Sequence, residues 1–221
     1  MATRICFALI WLAFSLYAFL LAPPPSPDTV RLIVQLSTGQ WSDINPLVIA
    51  LFNLMGVWPL IYCCLLFADG RGQKIPAWPF ASLSFVVGAF GLLPYLVLRH
   101  PQPTFTGPMD RTLTIFDSRW MGLALSVLAL TLLGYGLLQG NWPDFIHQWK
   151  SSRFIHVMAI DFCLLCVLFP SLLRDDLARH GVHQPALFWA VSLVPLLGPL
   201  FYLCSRPAMQ SGDGIQQTRP R

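Results

Sequence analysis

The chain predicts an all-α, polytopic transmembrane helical bundle, and three observations predict it. Six apolar segments, Cys6–Ala22, Pro46–Phe67, Trp78–Leu98, Trp120–Leu138, Phe154–Leu173 and Ala186–Cys204, occupy most of its 221 residues. Each approaches the roughly 20 residues that carry a helix across a hydrocarbon core of about 30 Å. Hydrophobic residues make up 55% of the chain and charged ones only 11%, against about a quarter in an ordinary soluble domain. The longest polar stretches, Pro23–Asn45 and Arg99–Arg119, are too short to bury a core of their own. Within lipid every backbone N–H and C=O needs a partner inside the protein, which selects helices over open strands.

The first segment combines a basic start at Arg4 with a long apolar run. Pro23, Pro24 and Pro25 follow it directly, a poor exit for signal cleavage, so it reads as a retained anchor. Those prolines carry the chain out of the membrane as extended backbone. Between the second and third segments, Asp69-Gly-Arg-Gly-Gln-Lys-Ile-Pro-Ala-Trp-Pro79 has the composition of a tight hairpin with interfacial anchors. Trp41, Trp78, Trp120, Trp142 and Trp149 lie at segment edges, the depth that suits an amphipathic ring, whereas Trp58 and Trp189 fall inside segments and are expected to pack against neighbours. Pro59, Pro94, Pro170, Pro195 and Pro199 are expected to kink their helices, and Gly88, Gly91, Gly134 and Gly136 to permit close approach. Arg174-Asp175-Asp176 reads as a polar helix end pairing at the surface. Residues 1–207 form one transmembrane domain, and 208–221 a flexible tail. The sequence shows neither an internal repeat nor paired interrupted helices.

Net charge is +4, yet the basic residues stand singly at segment ends, so no basic run offers a nucleic-acid surface. If all six segments cross, eight basic residues (Arg4, Arg71, Lys74, Lys150, Arg153, Arg206, Arg219, Arg221) share a side with the termini and six lie opposite. That bias favours cytoplasmic or stromal termini. All ten acidic residues are aspartates, which argues against Glu-based di-iron sites.

Two residues of the fifth segment could carry chemistry. Asp161 is the one ionisable acid placed mid-span, where a carboxylate must be protonated, paired or turned to the bundle interior. Asn53, Tyr62 and Ser192 are partners within other segments. His156, near the segment's start, is a candidate metal ligand, for instance to the magnesium of a chlorophyll. Five positions apart, the two diverge by about 140° around a helix, so a shared ligand or third group would have to link them. His156 and Asn53 are the candidate cofactor-binding residues, and Asp161 with His156 the candidate catalytic pair. His156–Asp161 also spells the H-x4-D of glycerolipid acyltransferases, without that family's accessible loop and companion motifs. Cys163 and Cys166 form C-x-x-C, and Cys63 and Cys64 are adjacent. All six cysteines lie in apolar segments, so they read as structural thiols, and no tetrahedral zinc set assembles from them.

The stretch Leu51-Phe-Asn-Leu-Met-Gly-Val-Trp-Pro-Leu-Ile-Tyr62, the loop Asp69–Pro79, the run Ser152-Arg-Phe-Ile-His-Val-Met-Ala-Ile-Asp161 and the run Pro195-Leu-Leu-Gly-Pro-Leu-Phe-Tyr-Leu-Cys204 resemble an uncharacterised polytopic membrane family of cyanobacteria and plastids. The resemblance spans about Asn45 to Pro207 and implies a thylakoid or plasma membrane of an oxygenic phototroph. His156, Asp161, Arg174, Gly198 and Pro199 are similar in pattern to the plastid membrane proteins of neoxanthin synthesis. These resemblances imply a subunit or assembly factor for photosynthetic complexes, with bound chlorophyll or carotenoid as an option. The alternative is a carotenoid- or isoprenoid-modifying enzyme, with Asp161 a neutral general acid and His156 the base or orienting group. A proton-coupled transporter using Asp161 is the third expectation.

Overall fold

A computed structural model describes residues 1–105 and 107–209; the rest of the expected tail, 210–221, lies outside the described residues. The described chain is helical without strands. Four helices are long and apolar enough to cross a membrane, as the fold class requires. They are α1 (Ala2–Leu21), closing on a π-helical turn from Tyr17; α3 (Pro46–Asp69); α7 (Arg119–Gln139); and the continuous run of α9 (Arg153–Leu168) and α10 (Pro170–Arg179). The junction of α9 and α10 falls at Pro170, whose ring removes an intrahelical bond, whereas Pro59 is absorbed inside α3 without a break.

The third and sixth apolar segments do not form single helices. The third divides into α4 (Trp78–Val87) and α5 (Ala89–Leu98), the sixth into α11 (Pro185–Leu193) and α12 (Leu197–Ser205). At about 1.5 Å per residue each piece is roughly 15 Å long, half a hydrocarbon core. The breaks have local causes. Gly88 sits at φ 55°, ψ −129°, a backbone that L side chains avoid. In the second hairpin Pro195 removes a donor, and Leu196 takes φ 60° beside it. Gly91 and Gly198 let the paired helices close: a Cβ on Gly91 would meet the Leu83 and Ser84 backbone at 3.0 Å, and one on Gly198 would collide with Val191. The expectation of no interrupted helices is thereby corrected.

Both hairpins return to the side they left. Arg99, after α5, binds Asp69 at the end of α3, and Arg206, after α12, binds Asp176 in α10. The short helix α6 (Arg111–Asp117) lies on this charged face too, with Phe116 against Phe67. On the far face lie two amphipathic helices, α2 (Thr29–Thr38) and α8 (Trp142–Ser151). There Leu36 packs with Val48, Ile49, Ile155 and Met158. Asn45 caps α3 and reaches the Asn141 carbonyl at 2.8 Å, tying α3 to the start of α8.

A repeat emerges from this geometry, which corrects the expectation that the chain has none. Tyr95 and Arg99 stand 26 and 30 positions after Asp69 and both bind it; Tyr202 and Arg206 stand 26 and 30 positions after Asp176 and both bind it. A shift of 107 positions superposes Leu65, Leu66, Asp69, Gly91, Leu93, Tyr95, Leu96 and Arg99 on Leu172, Leu173, Asp176, Gly198, Leu200, Tyr202, Leu203 and Arg206 without a gap. The preceding helices follow suit: Arg4 of α1 donates to the Arg99 carbonyl (2.9 Å), and Arg119 of α7 donates to the Arg206 carbonyl (3.2 Å). Each half is therefore a span, a far-face amphipathic helix, a second span and a returning hairpin, in the same direction. Such parallel repeats are related by an axis along the membrane normal. Tyr62 and its counterpart Phe169 meet edge to face, ring centroids 5.9 Å apart, as residues beside that axis must.

Candidate functional site

Asp161 is 5% exposed and belongs to α9, yet its partner is on the first hairpin. Its Oδ1 accepts a hydrogen bond from the Ala89 backbone N–H at 2.8 Å, the first residue of α5. The acid thus caps the half-helix that restarts after Gly88, where orphan donors and the positive end of the helix dipole meet a carboxylate. Asn53, Tyr62 and Ser192, the partners anticipated from sequence, are engaged elsewhere: Asn53 with the Ile49 carbonyl, Tyr62 with Leu165, Ser192 with Phe188. Gly88 is obligatory for this contact, because a Cβ there would occupy the place of Asp161 Oδ2.

Asp161 also lines a crevice of about 530 Å3 with Ala18, Phe19, Phe52, Met55, Ser84, Phe85, Phe90 and Phe154. Phe19, Phe85 and Val86 at its rim are exposed on the apolar perimeter, so it opens toward lipid. Its other end lies at the far face, where Ser26, Thr29 and Arg153 line it. The volume falls in the range of about 300–1,000 Å3 typical of small-molecule sites.

The structure does not bring His156 to this crevice or to Asp161. His156 is buried near the far face, stacked on Trp149 at 4.5 Å between ring centroids. Its Nδ1 lies 2.8 Å from the Trp149 carbonyl, which can only accept, so Nδ1 carries the proton. Nε2 then accepts from the Tyr17 hydroxyl at 2.7 Å. Both nitrogens are occupied, and a chlorophyll magnesium would have to displace Tyr17. Asn53 does not line the crevice either.

Comparison with family models, with curated proteins and with solved structures finds no match. The residues themselves carry the functional argument.

A second polar constellation, missed in the sequence, occupies the charged face. Asp69 is fully buried and receives Tyr95 (2.6 Å), Arg99 (2.6 and 2.9 Å) and Arg179 (2.5 Å). Arg99 also pairs with Asp175. Asp176, fully buried, receives Tyr202 (2.7 Å), Arg206 (3.0 Å) and Arg179 (3.2 Å). His180 Nε2 lies 2.8 Å from Asp117, which Arg206 approaches at 3.2 Å. Burial opposes charge on Arg99 and Arg206, but the adjoining carboxylates outweigh it and hold both guanidiniums above their ordinary range. Asp175 and Asp176 are thus interior, not the surface pair expected; Arg174 alone turns outward, over the Phe188 ring. Trp189, expected to pack within the bundle, is exposed instead, with only the Phe188 ring edge-on beside it at 5.4 Å between centroids. The recurrent Asp, Tyr and Arg spacing was the available signal.

Proposed function

We propose that the protein is a non-enzymatic accessory subunit or assembly factor of a photosynthetic membrane that holds an apolar, pigment-class ligand in the Asp161 crevice. The carrying observation is that crevice: rich in phenylalanine, open to lipid and enclosed by the end of α1, α3, the first hairpin and α9. The sequence resemblance supplies the membrane. Engagement of both His156 nitrogens favours a carotenoid held by shape over a chlorophyll held by ligation. Purification of tagged protein from native membranes in mild detergent tests this. Carotenoid absorption and photosynthetic subunits should travel with the chain; a colourless protein without such partners would overturn the reading.

One observation favours a second reading. Parallel repeats with broken helices are an architecture of carriers, in which the break marks the substrate site, and Asp161 sits at one break. Proton-dependent flux of a solute in proteoliposomes, lost in Asp161→Asn, would support transport. An enzymatic role would have to rest on Asp161 without His156.

A further inference from the structure

We infer that the crevice ligand ends in a hydroxyl group, and that this end is seated on Asp161 in mid-membrane. The inference rests on the reading of the crevice as a ligand site and names what that ligand presents. Asp161 Oδ1 is used by Ala89, while Oδ2 has no hydrogen-bond partner among the described residues and lies beside Gly88, both residues lining a crevice whose wall around them is mainly apolar. A carboxyl oxygen largely withdrawn from water without a partner is costly, and a donor on the ligand relieves that cost.

The repeat supplies an independent argument. At the positions 107 away, Ser84 corresponds to Val191, Gly88 to Pro195 and Asp161 to Leu54. The scaffold residues Asp, Tyr, Arg and Gly recur in both halves, but the trio of Ser84, Gly88 and Asp161, the last supplied by α9 of the second half, meets at the first hairpin tip alone. Folding of the hairpin does not demand the trio, since the second hairpin forms without it. The first hairpin tip is polar for a further reason, and the crevice beside it is where a ligand reaches. Asp161 lies eight residues beyond Arg153, about 12 Å deeper along α9. An elongated apolar body therefore fits between the far-face mouth and the buried acid, with its hydroxyl leading.

The test uses the full-length protein in detergent with two probes of one carbon skeleton: zeaxanthin, which bears a hydroxyl on each end ring, and β-carotene, which bears none. Binding is followed by pigment absorption and induced circular dichroism. Zeaxanthin should bind about tenfold more tightly, the worth of one hydrogen bond to a buried carboxyl group. Asp161→Leu, which installs the residue found at the equivalent position of the first half, Leu54, should abolish the preference. Equal binding by the unaltered protein, or a preference that survives Asp161→Leu, overturns the inference while the apolar-ligand reading stands. Failure of both probes to bind the unaltered protein overturns that reading and the inference with it. The comparison on unaltered protein decides the matter even where Asp161→Leu does not fold.

Discussion

Gly88 and His180 show how single residues set this molecule's behaviour. Gly88 holds a left-handed φ while its missing side chain leaves room for Asp161 Oδ2. Gly39 also has a positive φ, 77°, but nothing lies within 4 Å of a Cβ built there. Gly39→Ala should therefore show only the left-handed backbone penalty, about 1–2 kcal/mol. Gly88→Ala should cost more than the roughly 1–2 kcal/mol of backbone strain, because it also drives Asp161 off the Ala89 N–H. Thermal unfolding of the two variants in detergent checks the order. For His180, burial pulls the imidazole down, but its hydrogen bond to Asp117 and the nearby Asp176 charge outweigh burial and raise it, with Arg206 opposing. A pKa raised on folding adds stability that is fully present below the unfolded value, about 6.5, and is lost as pH rises through the folded value. The melting temperature should accordingly fall as pH climbs above about 6.5, and His180→Gln should flatten that profile. A wild-type curve that is level or rises across this range contradicts the assignment. Protonated His180 also balances the face, where four carboxylates meet three guanidiniums.

At the scale of elements, each returning hairpin is clasped by one aspartate on the preceding span. Removing one partner of a buried ion pair costs about 3–5 kcal/mol because the other charge is stranded. Asp69→Ala and Asp176→Ala should each approach that loss, whereas Tyr95→Phe and Tyr202→Phe should each cost about 1.5–3 kcal/mol, the worth of a hydrogen bond to a charged group. Unfolding in denaturant reads all four, and near-equal losses in the two tyrosine variants are expected if the clasps are equivalent. Apolar length made the six segments visible in the sequence, and Asp161 stood out because a charge is rare among Ile160, Phe162 and Cys163. The clasps were hidden. Asp69 and Arg99 sit at segment ends, where solvated charges are ordinary, and only their contact across thirty positions turns them inward. His156 misled for a related reason: residue type advertised a ligand, but Tyr17, from a helix far away in sequence, already fills its open nitrogen.

Hydropathy counts apolar residues without recording whether a helix continues or turns back, so the crossing pattern of the whole molecule was not legible in it. Six straight crossings would place Lys74 and Ser151 on one side and Thr104 on the other. Hairpins that return place Lys74 and Thr104 together on the charged face, because Gln73 bridges to His100 and Gln102 to the Gly72 carbonyl, while α8 carries Ser151 to the far face. The same refolding redistributes the basic residues. Among the described residues Arg4, Arg71, Lys74, Arg99, Arg111, Arg119, Arg174, Arg179 and Arg206 fall on or toward the charged face, and only Arg31, Lys150 and Arg153 on the far one. A weak bias becomes a strong one, and it predicts that the charged face is cytoplasmic. Lys74→Cys, Thr104→Cys and Ser151→Cys, each in a background lacking the six native cysteines, can be treated with an impermeant maleimide in sealed vesicles of known orientation. Lys74→Cys and Thr104→Cys should label only where the cytoplasmic surface faces outward, and Ser151→Cys only in the opposite orientation. Labelling of Thr104→Cys together with Ser151→Cys, or of Lys74→Cys together with Ser151→Cys, would remove the returning hairpins and, with them, the break that Asp161 caps.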